Sequence, residues 1–269
     1  METELHSEAL ERAMALEREA HSFRSGQKIE EAFNAFDEAA SIYRDAGEHF
    51  KAALCFSSAA TCWNIRTGWQ PLRNAATRNE SAAHEAMRAS HYEYARSHFL
   101  EAALLYEKEG DSGKYSACFY NSKIADRMLS WHLFAHGEKD EGAGLLAGQT
   151  RWKERLLAFF RWFVNALNYV TWGYGERPLR TFFVACCIII GTASFYAVSG
   201  QILVEGVVRH VSFFEALYLS IITYSTVGFG DYLPVGWTRI LAAHEALAGI
   251  FLTPLFLIAL TRRYLRMDR

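Results

Sequence analysis

The sequence predicts an all-α protein in two unlike parts: an N-terminal array of helical hairpins, then a segment that crosses a membrane twice. Three observations carry this. Residues 1 to about 145 are polar, charged and Ala-rich, with Pro71 the only proline among them. That half contains a gapless internal repeat. From about 180 to 261 the chain holds two long apolar runs with a shorter one between them, so the mean hydropathy of −0.04 averages two regimes.

At 269 residues the chain has room for one or two domains. A formal charge of −2 leaves no electrostatic footprint for nucleic acid. Cys55, Cys62, Cys118, Cys186 and Cys187 show neither metal-binding spacing nor a disulfide framework, which suits a reducing compartment for the first half. Met1-Glu-Thr-Glu-Leu lacks the basic-then-apolar pattern of a signal peptide. The first apolar span is therefore expected to insert by itself, with the preceding half cytoplasmic.

Residues 1–132 are expected to form the helical domain, with about six helices and Gly26, Gly47, Gly68 and Gly110 as stops. Ala35 to Ala60 aligns without gaps on His98 to Lys123. The matched positions include Phe36/Phe99, Glu38/Glu101, Ala39/Ala102, Ala40/Ala103, Tyr43/Tyr106, Gly47/Gly110, Lys51/Lys114, Cys55/Cys118 and Phe56/Phe119. Each copy reads as helix, glycine turn, helix, with small residues admitting close packing. The pattern resembles a tetratricopeptide or SNAP-like array, and that resemblance implies a regulatory domain binding a protein or small ligand.

Residues 133–150 lose periodicity and gather Gly137, Gly142, Gly144 and Gly148, the composition of a linker. Residues 151–178 open with Trp152, Phe159, Phe160, Trp162 and Phe163 among Arg151, Lys153, Arg155 and Arg161. Aromatic rings favour the headgroup level and cations favour anionic lipid, so an interfacial helix is expected here. The alternative is a third span from Leu156 to Trp172, with Arg161 inside it at a cost of about 2.5–3.5 kcal/mol. Gly173-Tyr174-Gly175-Glu176-Arg177-Pro178 then breaks the helix. Its Tyr-Gly-Glu-Arg-Pro resembles the same stretch in bacterial two-span potassium channels that carry soluble modules.

Residues 179–269 hold the spans. Leu179 to Val198 covers one hydrocarbon thickness, about 30 Å at the helical rise. Ser199 to Val211 reads as an outer loop, and Ser212 with Glu215 has capping-box spacing. Phe213 to Tyr224 is apolar but only half a bilayer long. Trp237 to Leu260 is the second span, followed by Arg262-Arg263-Tyr264-Leu265-Arg266. Basic flanks lie before the first span and after the second, which places both on the cytoplasmic side.

Between the spans lies Thr226-Val227-Gly228-Phe229-Gly230-Asp231. A pore must replace the water around an ion with fixed oxygens, and successive carbonyls turned one way require alternating backbone handedness. Glycine takes positive φ without a Cβ penalty, which accounts for Gly228 and Gly230. Val227 and Phe229 are expected to point into a packed cuff. Phe213 to Tyr224 would aim its C-terminal carbonyl end, about −0.5 charge, at the ion. The hexapeptide resembles the potassium-channel selectivity filter, usually TVGYG, with Phe229 in place of tyrosine. The resemblance implies K+ sites at Thr226, Val227, Gly228 and Phe229 and a homotetramer, since one chain holds one filter copy. Some channels bond a carboxylate one turn before the filter threonine to the aspartate after it. Here that position is Ile222, so Asp231 needs another partner or water.

Within the second span, Glu245 is expected to support the filter by bonding the pore-helix backbone or a water. Neighbouring His244 offers no argument for a sensor. In the resembled family a mid-helix glycine is the gating hinge, and Gly249 falls there; a close helix crossing is the alternative. Pro254 removes a backbone hydrogen bond and would splay the helix. Ile250, Thr253, Leu257 and Thr261 share one face, with Leu257 and Thr261 as the expected cytoplasmic constriction, while Phe256 faces lipid or the outer helix.

No regular arginine series suggests a voltage sensor, and no nucleotide motif or catalytic constellation is apparent, so an enzyme is not expected. Two rival readings remain open: a membrane-anchored scaffold that conducts nothing, and a nonselective cation channel. The scaffold leaves the hexapeptide and the half-length helix unexplained.

Overall fold

A computed structural model describes residues 2–65, 71–137 and 147–267. The chain divides into two units, Met1–Ala166 and Leu167–Arg269.

The N-terminal unit opens with α1 (Glu2–Ser25), α2 (Ile29–Asp45), α3 (His49–Ile65), α4 (Pro71–Arg88), α5 (Tyr92–Lys108) and α6 (Ser112–His136). The main contacts run from each helix to the next, as in a stacked array. Alanine makes this possible. In α2 the buried residues Ala32, Ala35, Phe36, Ala39, Ala40 and Tyr43 recur at helical spacing, so small side chains and aromatics alternate along one face. The expected stop at Gly68 lies outside the described residues.

The same contacts occur twice, 63 positions apart. Tyr43 donates its hydroxyl hydrogen bond to Glu17 Oε2 at 2.9 Å, and Tyr106 does so to Glu80 Oε2 at 2.8 Å. His21 meets Phe36 edge-on at 5.0 Å, and His84 meets Phe99 at 4.9 Å. Lys51 lies 5.7 Å from the Tyr43 ring centre and Lys114 lies 5.8 Å from that of Tyr106. Burial pushes the Cys55 and Cys118 thiols up to about 12, with Glu17 and Glu80 adding repulsion. The duplicated block thus reaches back into α1 and α4, beyond the stretch that aligns by eye. There the identities are only Ala13/Ala76, Glu17/Glu80, Ala20/Ala83 and His21/His84, set on one face among mismatches.

α6 continues to His136, so the first residues expected in a linker, Leu133 to His136, are helical; residues 138–146 lie outside the described set. The helix α7 (Ala147–Thr171) explains the difference. Trp162 packs at a tilt against Trp131 at 5.1 Å and Phe159 against Phe134 at 5.1 Å. Arg155 Nε donates to the Phe134 carbonyl at 3.0 Å, covering the end of α6, while Asn165 donates to Asp126 at 3.1 Å. Several side chains expected at lipid headgroups therefore have protein partners. A separate stripe, Trp152, Leu156, Phe160 and Phe163, stays exposed.

The C-terminal unit contains a short 3-10 turn (Gly173–Gly175), α8 (Pro178–Ser199), β1 (Ile202–Val204), β2 (Val207–Arg209), α9 (Phe213–Tyr224), β3 (Tyr232–Pro234) and α10 (Thr238–Met267). Among the described residues, α8 and α10 are the two helices long and apolar enough to cross a membrane. Pro178 starts α8 at a position where its missing N–H is harmless. The interior is formed by Ala193 and Tyr196 of α8, Ile202, Val211, and Ala216, Leu219 and Ile222 of α9.

The expected outer loop is instead a hairpin. β1 pairs antiparallel with β2 and with β3, so Ile202 opposes both Arg209 and Pro234. Glu205 (φ 52°) and Gly206 (φ 82°) make its tight turn, with both residues left-handed as the twist of a two-residue hairpin demands. The signal was present in Ile-Leu-Val-Glu-Gly-Val-Val-Arg, β-branched runs around an X-Gly pair.

Candidate functional site

The site is built where α9 ends. α9 begins with a reciprocal cap: Ser212 N donates to Glu215 Oε2 at 2.7 Å and Glu215 N donates to Ser212 Oγ at 3.3 Å. It ends after 12 residues in a pair of bonds that reverse the chain, from Val227 N to the Ile222 carbonyl at 3.0 Å and from Thr226 N to the Thr223 carbonyl at 3.0 Å. This is the Schellman geometry, which requires a left-handed residue just past the helix. Thr226 occupies that position with φ 58°. A β-branched residue there costs about 1–2 kcal/mol, since its Cβ crowds the following carbonyl.

Beyond it the handedness alternates. Gly228 has φ 53° and Gly230 has φ 82°, while Val227 and Phe229 between them stay at negative φ. The backbone thus alternates over five residues from 226 to 230, the condition for turning successive carbonyls to one side. The glycines supply two of the three left-handed positions; the third, Thr226, owes its conformation to the helix cap. Val227 and Phe229 are 55% and 71% exposed in the single chain.

The strand β3 follows immediately and ties the hexapeptide to the hairpin. Where Ile222 supplies no partner, the Tyr218 hydroxyl, one turn earlier on α9, lies beside the Asp231 carboxylate. Asp231 Oδ1 also accepts from Tyr232 N at 3.1 Å. Tyr218 and Tyr232 meet edge-on at 5.7 Å, and Arg209 of β2 pairs with Glu215 at 2.7 Å. Ion pair, rings and carboxylate together brace the C-terminal end of the segment.

Behind α9 lies Glu245, only 2% exposed. Tyr196 donates to its Oε2 at 2.8 Å and Thr192 donates to Oε1 at 2.6 Å, both from α8; Ser220 of α9 also donates to Oε1. Backbone N–H groups within a helix are already taken by carbonyls a turn earlier, which is why hydroxyls rather than the expected backbone serve it. One carboxylate therefore joins three helices.

Gly249 has a packing reason to be glycine. A Cβ there would sit 1.9 Å from the Tyr224 carbonyl oxygen, so the backbone of α10 passes against the end of α9. That is the close crossing weighed as the alternative to a hinge. α10 runs unbroken through Pro254. Its buried stripe is Glu245, Gly249, Leu252 and Ala259, with Phe256 half-buried beside them, while Ile250, Thr253, Leu257 and Thr261 are exposed. Thr226, Gly249, Ile250 and Thr253 line an open recess of about 380 Å³ at the N-terminal end of the hexapeptide. The Tyr224 hydroxyl lies beside Thr253 in this recess.

Residues 183–266 match a family whose description is ion channel. The match covers α10 and most of α8, with α9 and the hexapeptide between them, and indicates an ion channel in the membrane. No curated protein and no solved structure matches the chain.

Proposed function

We propose that this chain is one subunit of a homotetrameric, potassium-selective channel, with the hexapeptide as its selectivity filter. The observation that carries the reading is the alternating positive φ at Thr226, Gly228 and Gly230, at the end of a half-length apolar helix between two membrane-capable ones. Four copies around an axis would stack rings of carbonyls from Thr226, Val227, Gly228 and Phe229, replacing the hydration shell of K+ as it passes. Neighbouring copies would also cover Val227 and Phe229. Tyr218 with Asp231 would hold the outer end, and Glu245 the rear. Ile250, Thr253, Leu257 and Thr261 would line the inner cavity, closing at Leu257 and Thr261 near the cytoplasm. Both basic flanks would face that side, where the N-terminal array would bind a protein or small ligand and regulate opening, and α7 would lay its exposed apolar stripe at the bilayer surface.

The test is reconstitution of the full chain in vesicles with K+ and Na+ flux measured separately. Wild type should pass K+ far better than Na+. Gly228→Ala and Gly230→Ala should still assemble as tetramers but lose K+ flux, because a Cβ is strained at positive φ. Unchanged selectivity in either variant would overturn the filter, and equal K+ and Na+ permeation by wild type would favour a nonselective channel.

A further inference from the structure

The Gly-Tyr-Gly-Glu-Arg-Pro stretch has no part in conduction, yet among the described residues it holds the longest run of consecutive left-handed backbone. Gly173, Tyr174 and Gly175 have φ of 57°, 58° and 84°, three left-handed residues in succession. All three are buried. An L-residue with a large ring tolerates this conformation poorly, and the strain persists only where the surroundings hold it. The surroundings here are specific. A Cβ on Gly173 would lie 2.9 Å from Arg177 Cβ, and one on Gly175 would lie 3.3 Å from Arg262 Nη1 and 3.4 Å from the Trp172 ring. Gly173 is thus required twice, by φ and by space, whereas Gly175 is required by φ and a Cβ there would press on Arg262 and the Trp172 ring by a few tenths of an ångström.

Arg262 belongs to the last turns of α10, five residues beyond Leu257, and α10 packs on the turn. The turn is also tied to what precedes it. Asn168 Oδ1 accepts from Trp172 Nε1 at 2.9 Å, and Arg180 Nη1 donates to the Tyr169 carbonyl at 2.9 Å with its guanidinium 4.5 Å from the Tyr169 ring centre. The end of α7, the turn, the start of α8 and the end of α10 therefore meet through packed rings, guanidinium groups and glycine faces.

We propose that the Gly173-Tyr174-Gly175 turn is the seat for the cytoplasmic end of α10, with Arg262 resting on the face of Gly175. In the channel reading on which this rests, Gly175 and Arg262 are positioning residues for the constriction at Leu257 and Thr261. A movement arriving along α7 then reaches α10 directly, without passing through the whole length of α8. Seating needs a flat surface at Gly175, which explains a second glycine two residues after the first. It also needs a cation on α10 long enough to reach back, which explains an arginine at 262.

The experiment uses the full chain in lipid vesicles and compares wild type with Gly175→Ala, Arg262→Ala and the double variant. Hydrogen exchange of the α10 amides around 257–264 is read beside K+ flux. Each single variant should speed exchange there severalfold, the double no more than the stronger single, because both remove one contact. Exchange in α1–α5 should not change, and the open fraction of the flux should shift severalfold. Arg262→Ala lies outside the strained turn and keeps the test valid should Gly175→Ala fail to fold. Unchanged exchange at 257–264 in Arg262→Ala, or effects that multiply in the double variant, would overturn the seat. Faster exchange in vesicles whose wild type carries no cation flux would instead leave the seat standing and sink the channel reading.

Discussion

Left-handed backbone occurs in both units but is used differently. In the N-terminal array it comes singly, at Gln27, Gly47, Ser90, Gly110 and Gly137, each just past a helix. There it is punctuation: a helix ends and the chain turns. A Cβ added to Gly47 or Gly110 meets nothing within 4 Å, and within the single chain the same is true of Gly228 and Gly230, so the difference between the two pairs lies in the pattern and not in local space. In the C-terminal unit it also comes singly, at Gly200 just past α8 and at Gly236, and as a pair in the hairpin turn at Glu205 and Gly206. To these are added a consecutive run at 173–175 and an alternation at 226, 228 and 230. A single left-handed residue redirects a chain, whereas a patterned series builds a surface out of backbone atoms. The first kind tolerates substitution at a modest local cost. The second should not.

A similar contrast holds for two half-buried carboxylates, Glu17 and Glu80, and one buried carboxylate, Glu245. Glu17 and Glu80 each accept one tyrosine hydroxyl at the edge of a helix pair, whereas Glu245 accepts three hydroxyls from two helices at membrane depth. The largest effect we expect concerns the face opposite Glu245. Leu257→Asp should wet the proposed constriction and leave vesicles leaky to K+, whereas Phe256→Ala, on the half-buried side, should lower stability and leave conduction nearly unchanged. Cysteine modification from the cytoplasmic side should block flux at Leu257→Cys and spare Phe256→Cys. The reverse pattern would mean that α10 is turned the other way.

Next in size is the carboxylate itself. Glu245→Ala removes the acceptor for Tyr196, Thr192 and Ser220, and an unsatisfied buried donor costs about 1–3 kcal/mol. Loss of the detergent-stable tetramer is the expected result, with Glu245→Gln, which keeps one carbonyl acceptor, intermediate. Tyr43→Phe deletes one hydrogen bond in the array and should cost only about 1 kcal/mol. Comparable losses for Glu245→Ala and Tyr43→Phe, followed by thermal unfolding, would erase the distinction between the two settings.

How much of this was legible in the sequence follows from the range of the interactions. The helix pattern, the capping box at Ser212 and Glu215, the limits of α9 and the two positive-φ glycines are local, and all can be read from neighbours in the chain. The α1–α4 half of the duplication was missed because packing constrains one face of a helix and leaves the rest to drift. The hairpin at 202–209 is local too, and its X-Gly turn between β-branched runs is a strand signal. Three-residue strands, however, are too short for periodicity to set them apart from a loop between two apolar helices. Tyr218 as partner of Asp231, the hydroxyls around Glu245, and Arg262 against Gly175 were not legible, because each joins side chains distant in sequence. The same applies to α7, whose aromatic and basic composition suits lipid and a protein partner equally well.

The smallest expected effect separates the two copies within the array. Burial lowers the pKa of His84 and of His98, opposed by nearby Glu80 and Glu101 respectively. His98 Nδ1 lies 2.8 Å from Asn79 Oδ1, so the neutral ring donates there. A folded pKa below the unfolded one means that the unfolded state takes up protons first as pH falls. The stabilisation is complete above the unfolded value, about 6.5, and is lost as pH drops from there toward the folded value. The first copy has Ala35 where the second has His98, so the loss should be concentrated in α4 and α5 rather than α1 and α2. Hydrogen exchange of the full chain at pH 7.5 and 5.5, corrected for intrinsic rates, should show α4 and α5 losing protection at the lower pH. His98→Ala should lower protection at both values, because Asn79 loses its partner, but should shrink the difference between them. A pH difference of the same size in α1 and α2, or one that survives His98→Ala in full, would mean that this histidine does not carry the asymmetry.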